Sequence, residues 1–423
     1  MNASPYIRTA PERSSPAIDY RGVGECALVF LVVVTASGAL YKFGIATLAW
    51  ALIYAVTLVV VVRDHAQVLK SAAIAWPLLC FPLFCLISVF WSVEPHDSLR
   101  HAAQYLFTAA LATWIGSIVA PERLLRAVGI GLFACAAFSV LATYLNIISG
   151  VRQGDYAGAE RYFVGLFTQK NVFGNAIVLA TIGLLTLGAH TGHKWRYALA
   201  ALALAPVLYL TKSTTAAILY VGVWSYWPAL HFIRHQRHKT AVFLGALTGG
   251  LLLSTVFIAV DFSPVSEVLG ALGKDTTLTG RTLIWDMGFD LYLQHPVTGI
   301  GYQAFWESPA YTSDVMLIRA AVLESIGGFH NGYLEAMVAT GLPGVLLYAL
   351  LVTAPLIVCW NALMREPTAL RLGALYICLL IASRTFTESS VFYQHDLDFI
   401  LLVAIGVASA RSLHPTKVKS SYV

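Results

Sequence analysis

Long apolar runs are the feature that most limits what this chain can fold into. Of its 423 residues, 58% are hydrophobic and 12% are charged, whereas about a quarter of the residues in a soluble domain are charged. The runs are continuous, which favours membrane-spanning helices over the alternating strands of a β-barrel. The composition predicts an all-α polytopic membrane protein and excludes a soluble enzyme, a nucleic-acid-binding protein and a disordered scaffold.

Twelve apolar segments are predicted to span the membrane. Their predicted bounds are 24–41, 43–62, 71–91, 101–120, 127–149, 172–190, 197–211, 214–233, 240–260, 332–363, 369–384 and 396–410. The predicted organisation is an N-terminal tail (1–23), nine helices (24–260) interrupted by a loop at 151–171, a large loop (261–329), three helices (330–410) and a C-terminal tail (411–423). The N-terminal tail lacks the pattern of a cleaved signal peptide, so the first run is expected to be a retained anchor.

Basic residues predict the orientation of these segments. One set of short connectors and tails holds 17 of the 27 Lys and Arg residues, and the other set holds 10. An excess of Lys and Arg in short loops is typical of the cytoplasmic side. Both termini are therefore predicted to be cytoplasmic, and the loops 151–171 and 261–329 to lie on the outer side. The six cysteines all lie in apolar segments, so no disulfide framework is expected.

The large loop is predicted to be partly helical. Residues 281–294 carry apolar side chains at helical spacing, and Pro296 ends that run. Residues 314–326 form a second predicted helix, N-capped by Ser313. The sequence Gly299-Ile300-Gly301 between the two predicts a turn.

Basic side chains and one histidine at the outer boundary suggest chemistry on a phosphate-bearing lipid. The planar guanidinium of Arg matches phosphate, and a diphosphate needs more than one cation. His330 lies where the large loop becomes a helix, and the unperturbed pKa of imidazole is about 6.5. A base beside a diphosphate-binding cluster predicts transfer from a lipid diphosphate to a hydroxyl.

Each of these features also has a structural interpretation. An outer Arg can anchor the protein to phospholipid head groups, and a histidine at a helix start can be a cap or a hydrogen-bonded structural residue. The pair Gly341 and Gly344 favours close helix packing over a phosphate cradle. Asp396-Leu397-Asp398 is interpreted as a solvated helix start, and no metal site is expected.

The order of several motifs resembles the O-antigen ligase and polymerase superfamily over about residues 88–400. The motifs are Arg161…Gly165…Asn171…Gly174, Thr279-Gly280-Arg281…Trp285, His295-Pro296…Gly299-Ile300-Gly301 and His330-Asn331…Leu334…Gly341…Gly344. The span number and the single large loop before His330 resemble the ligase branch most closely. The family often carries a Ser-Arg pair where this chain has Ser213-Thr214, with Lys212 one place earlier.

The resemblance implies a GT-C-like fold and a glycosyltransferase of the bacterial inner membrane. Such ligases transfer O-antigen polysaccharide from undecaprenyl diphosphate to a sugar hydroxyl of lipid A–core at the periplasmic face. By resemblance, Arg161 and Arg281 match the family's diphosphate-binding arginines, and His330 matches its essential histidine. We expect a metal-independent, inverting mechanism without a cofactor, in which His330 is the base. The further candidates are Lys212 and Arg384 for the diphosphate, and Asn331, Tyr333 and Gly301 as supporting residues.

Three other functions fit the sequence less well. An O-antigen polymerase or a protein oligosaccharyltransferase would share the donor chemistry and differ in the acceptor. Protein-acceptor members of the superfamily usually carry an extra region after the histidine motif, and the 13 residues after the last predicted span (411–423) weigh against that function. An anion transporter would place ionisable residues in mid-span, where they are scarce in this chain.

Overall fold

A computed structural model describes residues 20–153, 161–235, 278–322 and 326–414. Its helices are α1 (Tyr20–Ala36), α2 (Ala46–Arg63), α3 (His65–Ile74), α4 (Pro77–Ile87), α5 (Pro95–Ile118), α6 (Pro121–Arg126), α7 (Leu132–Tyr144), α8 (Lys170–Thr191), α9 (Lys194–Leu202), α10 (Ala205–Thr211), α11 (Thr214–Val223), α12 (Tyr226–His235), α13 (Leu278–Gln294), α14 (Thr312–Val322), α15 (Gly332–Arg365), α16 (Ala369–Arg384) and α17 (Leu397–Leu413). A two-stranded antiparallel hairpin pairs β1 (Val151–Gln153) with β2 (Arg161–Phe163).

The described residues confirm a mostly helical, polytopic membrane protein. Five helical segments are long and apolar enough to cross a membrane, and a sixth if α3 and the segment Pro77–Trp91, bent by 97°, form one span. Each predicted span within the described residues coincides with one helix or with a pair of short helices. The predicted span 240–260 and most of both tails lie outside the described residues. The number of spans, their orientation and the GT-C-like fold stay predictions.

The predicted helices of the large loop are present with shifted bounds. The predicted helix 281–294 is α13, which begins three residues earlier. The predicted cap Ser313 is wrong, because Ser313 lies inside α14. A short 3₁₀ turn, Pro309–Tyr311, precedes α14, and Ser308 caps that turn by accepting a hydrogen bond from the amide of Ala310. The two helices bury a small apolar cluster of their own against the start of α15.

The 34-residue helix α15 is broken at Gly341, where φ is 66° and ψ is −166°. In a continuous helix each backbone carbonyl accepts a hydrogen bond from the amide four residues later, and a break leaves the carbonyls before it without these donors. The amides of Ile300 and Gly301 fill this gap by donating to Val338 and Ala339, at 3.1 and 2.9 Å. The predicted turn at 299–301 is a bend at Ile300 between turns at 296–298 and 302–303, and this segment docks into the broken helix.

Contacts between connectors define two opposite ends of the helical bundle. At one end, Trp91 donates to Thr298 (2.8 Å), and the Trp50 ring stacks on His395. At the other end, Arg123 pairs with Glu25 (2.9 Å), and Trp114 donates to Asp64 (2.9 Å). We call the first the site end, because the connectors 37–45, 92–94, 212–213 and 385–396 and the large loop meet there.

Candidate active site

His330 lies at the site end, immediately before α15. It is the residue before the helix cap: Asn331 caps α15 by accepting from the amides of Tyr333 (3.0 Å) and Leu334 (3.2 Å). Asn331, and not His330, is therefore the cap, and His330 is instead hydrogen-bonded to Glu388. Its φ of 53° is uncommon for a residue other than glycine, and such conformations concentrate at functional sites. The Trp285 indole donates to the carbonyl of Phe329 at 3.0 Å and fixes the backbone beside His330.

Glu388, in the connector between α16 and α17, joins the predicted base to a predicted phosphate-binding arginine. Its Oε2 lies 3.2 Å from Nδ1 of His330. Its Oε1 accepts from Nη2 of Arg281 at 3.1 Å and from Nδ2 of Asn171 at 2.8 Å. One carboxylate thus holds side chains from three separate parts of the chain.

The charge on Glu388 is strongly stabilised. Burial alone would raise its pKa, since only 13% of the side chain is exposed. The hydrogen bond from His330 and the positive charge of Arg281 outweigh burial and lower the pKa of Glu388 to about 2. Glu388 is therefore an anion at any physiological pH. A neutral His330 accordingly carries its proton on Nδ1, and Nε2 is left as the acceptor.

Arg281 extends from α13 to the same connector. Its Nη1 donates to the carbonyl of Thr387 at 2.8 Å, in addition to the ion pair with Glu388. A guanidinium has five N–H donors, so these two contacts orient the group and leave donors for a ligand. The sequence prediction that Arg281 and His330 share one site is consistent with this geometry, although their roles stay predictions.

Asn171 extends the network to the connector before α11. Its Oδ1 accepts from the Ser213 hydroxyl at 2.9 Å. Ser213 is buried, whereas the neighbouring Lys212 adopts a positive φ of 56° and places Nζ over the Tyr209 ring, 5.2 Å from its centroid. The network therefore includes Ser213.

Arg384 is buried below this network and is paired with Asp398. Asp398 is 1% exposed and also accepts from Asn175 at 3.0 Å. The prediction of a solvated helix start is therefore wrong for Asp398. Asp396 does cap α17, because its carboxylate accepts a hydrogen bond from the backbone amide of Asp398 at 2.7 Å. Arg384 and Glu388 both line a small cavity of about 10 Å³, room for about one water.

A second buried carboxylate, Glu335, supports the loop that carries His330. It accepts from the amide of Phe329 at 2.7 Å and from the Ser389 hydroxyl at 2.8 Å. Glu335 therefore ties the segment before His330 to the connector of Glu388, without touching the imidazole.

The remaining predicted residues lie around this core in different ways. Arg161 is exposed in β2, and among the described residues it makes no hydrogen bond or ion pair. Tyr333 stacks on Phe386, 5.0 Å between ring centroids, and so packs the Glu388 connector onto α15. Gly301 packs against Ser92 at a φ of 111°, which is a structural position.

Sequence reasoning missed Glu388, the residue that organises the site. The available signal was an acid only four residues after Arg384, in a connector on the predicted outer side. In the described ranges, no group of three His, Cys, Asp or Glu side chains is arranged to hold a metal ion. Metal independence stays a prediction.

Comparisons with known proteins agree with the resemblance in the motifs. The family profile described as O-Antigen ligase matches residues 198–349, which include Arg281 and His330. The chain is similar to the exopolysaccharide production protein ExoQ of Rhizobium meliloti (strain 1021), with 28% identity over 362 residues, 82% of this chain and 80% of that protein. In its profile match, in its similarity over most of the chain and in its ordered motifs, this chain resembles the O-antigen ligase family.

Proposed function

We propose that this protein transfers O-antigen polysaccharide from undecaprenyl diphosphate to a sugar hydroxyl of lipid A–core, at the periplasmic face of the bacterial inner membrane. The observation that carries the proposal is the attachment of His330 and Arg281 to the same carboxylate, Glu388. A base and a phosphate-binding cation at one point are what transfer from a lipid diphosphate to a hydroxyl requires.

In the proposed step, Nε2 of His330 takes the proton of the acceptor hydroxyl. The hydroxyl oxygen forms a bond to the anomeric carbon of the donor. The bond between that carbon and the diphosphate oxygen breaks, and its electron pair leaves with the diphosphate. A single displacement inverts the anomeric configuration. Glu388 holds the imidazole through Nδ1 and stabilises the imidazolium that forms.

Arg281 is the main candidate for stabilising the leaving diphosphate. Its anchored guanidinium keeps free N–H donors for phosphate oxygens. Arg161 and Lys212 are second candidates, because the β1–β2 hairpin packs against α10, which ends beside Lys212. Arg384 is held by Asp398, and we assign it to the shape of the site rather than to phosphate contact. The arginines supply the neutralising charge, so the proposed mechanism needs no metal.

Donor affinity and turnover, measured together in purified variants, test this assignment. His330→Ala should still bind the lipid diphosphate, because the arginines remain, and should lose about 10²–10⁴-fold in turnover. Arg281→Ala should weaken donor binding, transition-state stabilisation or both, by about 10- to 150-fold in kcat/KM. If His330→Ala loses donor binding and His330→Arg restores turnover, His330 is a phosphate ligand and the base assignment is wrong.

A repeat-unit polymerase is a second candidate function, because the relative that matches 82% of the chain is named an exopolysaccharide production protein. The donor chemistry is the same, and the acceptor is a growing saccharide. Lipid-linked intermediates in a strain lacking the gene separate the two functions. Accumulated lipid-linked polymer would indicate ligation, whereas accumulated single lipid-linked units would indicate polymerisation.

A further inference from the structure

A second site lies at the site end, outside the Glu388 network. It is a cavity of about 440 Å³, lined by Lys42 and Arg152 together with Ile147, Ile148 and Ser149. Its volume lies within the range of roughly 300–1,000 Å³ that is typical of ligand sites. None of these lining residues contacts Glu388, Arg281 or His330.

Lys42 is held in place by its local backbone. It is the central residue of the 3₁₀ turn Tyr41–Phe43, which Gly44 ends in a left-handed conformation at a φ of 68°. Its ammonium donates to the carbonyl of Ser149. Burial and the charge of Arg152 lower the pKa of Lys42. Arg152 lowers the pKa of Lys42 because the two positive charges repel each other. No described carboxylate contacts either of these two side chains.

Arg152 projects from the centre of the short strand β1. It pairs with Tyr162 in β2, and the strand start is fixed because the carbonyl of Gly150 accepts from Val164 (2.8 Å) and Gly165 (3.0 Å). The cavity therefore presents two cations from two fixed backbones. An anion between them would relieve their repulsion.

Exposed apolar side chains flank the cavity on both sides. On the side of Lys42, Tyr41 is 61% exposed, and on the side of Ile147, Tyr144 is 81% exposed. Aromatic side chains of this kind concentrate at the level of lipid head groups. A ligand with a phosphate and acyl chains satisfies both the cations and these apolar surfaces, whereas free phosphate satisfies only the cations.

We propose that Lys42 and Arg152 bind the phosphate of a membrane lipid in this cavity. The phosphate can come from a bilayer phospholipid or from a substrate lipid. The connector of Lys42 also packs on the start of α8, where Gly38 approaches Thr168 and Val172. A lipid bound here would therefore lie beside the helix that carries Asn171.

Native mass spectrometry of the purified full chain in detergent tests the site. The probes are phosphatidylglycerol, lipid A and undecaprenyl phosphate, with diacylglycerol as the probe that lacks phosphate. Lys42→Ala and Arg152→Ala should each weaken binding of at least one phosphate-bearing probe by about fivefold, and the double variant by about 25-fold if the two cations act independently. Lys42→Arg should retain binding, and diacylglycerol binding should not change.

Arg100→Ala is the matched control, because Arg100 is also an exposed cation near the site end and pairs with Asp97 instead. The proposal is overturned if the double variant binds every probe as the wild type does, or if Arg100→Ala causes the same loss. Loss confined to phosphatidylglycerol supports a bilayer lipid as the source, and loss of lipid A or undecaprenyl phosphate binding supports a substrate. The experiment measures lipid binding and not glycosyl transfer, so its outcome does not depend on the proposed enzymatic function.

Discussion

At the scale of single residues, Glu388 is the one acid among the described residues that contacts both His330 and Arg281. Glu335 accepts from the loop before His330 and from Ser389, and Asp398 pairs with Arg384. We therefore assign Glu388 as the positioning residue of the proposed base. Its charge, rather than its size, is the property that the network uses.

Glu388→Gln tests this role, since the amide keeps the shape and loses the charge. Its NH₂ group would face the donors of Arg281 or Asn171, and the imidazolium would lose its counter-ion. A hydrogen bond to a charged group contributes about 1.5–3 kcal/mol, so kcat should fall by about 10- to 150-fold. The double variant Glu388→Gln, His330→Ala should be no slower than His330→Ala alone. Independent, multiplying losses would contradict the assignment.

The low pKa of Glu388 also predicts how stability depends on pH. The pKa of the Glu388 carboxyl is 4.5 in the unfolded state and about 2 in the folded state. As the pH falls, the unfolded state therefore binds the proton first. The stabilisation, about 3 kcal/mol at most, is complete above about pH 4.5 and is lost as the pH falls towards 2.

Melting temperatures in detergent measure this effect. The difference between the wild type and Glu388→Gln should be largest above pH 4.5 and should shrink at lower pH. Glu366→Gln is the control, because that side chain is 64% exposed and its ion pair should contribute little. A difference for Glu388→Gln that stays constant from pH 6 to pH 3 would show that the carboxylate charge does not stabilise the fold.

At the scale of elements, patterns within one segment predicted structure well. The helical spacing of apolar residues predicted α13, and the glycines at 299 and 301 predicted that the chain changes direction there. The break in α15 could not be predicted, because it exists only where the turn docks and supplies amides to Val338 and Ala339. A Cβ on Gly341 would overlap the carbonyl of Val297, so the glycine is needed for this tertiary contact.

Gly341→Ala should therefore destabilise the protein. The alanine would have to adopt a φ of 66° and displace the docked turn, which costs about 1–3 kcal/mol. Gly222→Ala is the matched control, because no atom approaches that position in α11, and it should be neutral or slightly stabilising. Equal melting temperatures for the two variants would show that the break does not depend on glycine.

At the scale of the whole molecule, the distribution of Lys and Arg predicts which connectors share a side of the membrane, but it cannot predict which connectors contact each other. The connectors that meet at the site end belong to the set predicted to lie on one side. Glu388 and Asn171 are 217 residues apart and touch only through packing of α8 against α16. Patterns within a single segment carry no information about such pairs, which explains why Glu388 could not be predicted from the sequence.

The orientation of the two ends can be measured by labelling introduced cysteines in intact spheroplasts. Ala310→Cys is exposed near the site end, in the 3₁₀ turn before α14, and His193→Cys is exposed at the opposite end, after α8. Both are made in a background in which Cys26 and Cys80 are replaced by alanine, because the other four cysteines are buried. The distribution of Lys and Arg predicts that a membrane-impermeant maleimide labels Ala310→Cys directly and His193→Cys only after permeabilisation. The reverse pattern would place His330 on the cytoplasmic side, away from a periplasmic acceptor, and would contradict the proposed ligation while leaving the Glu388 network unchanged.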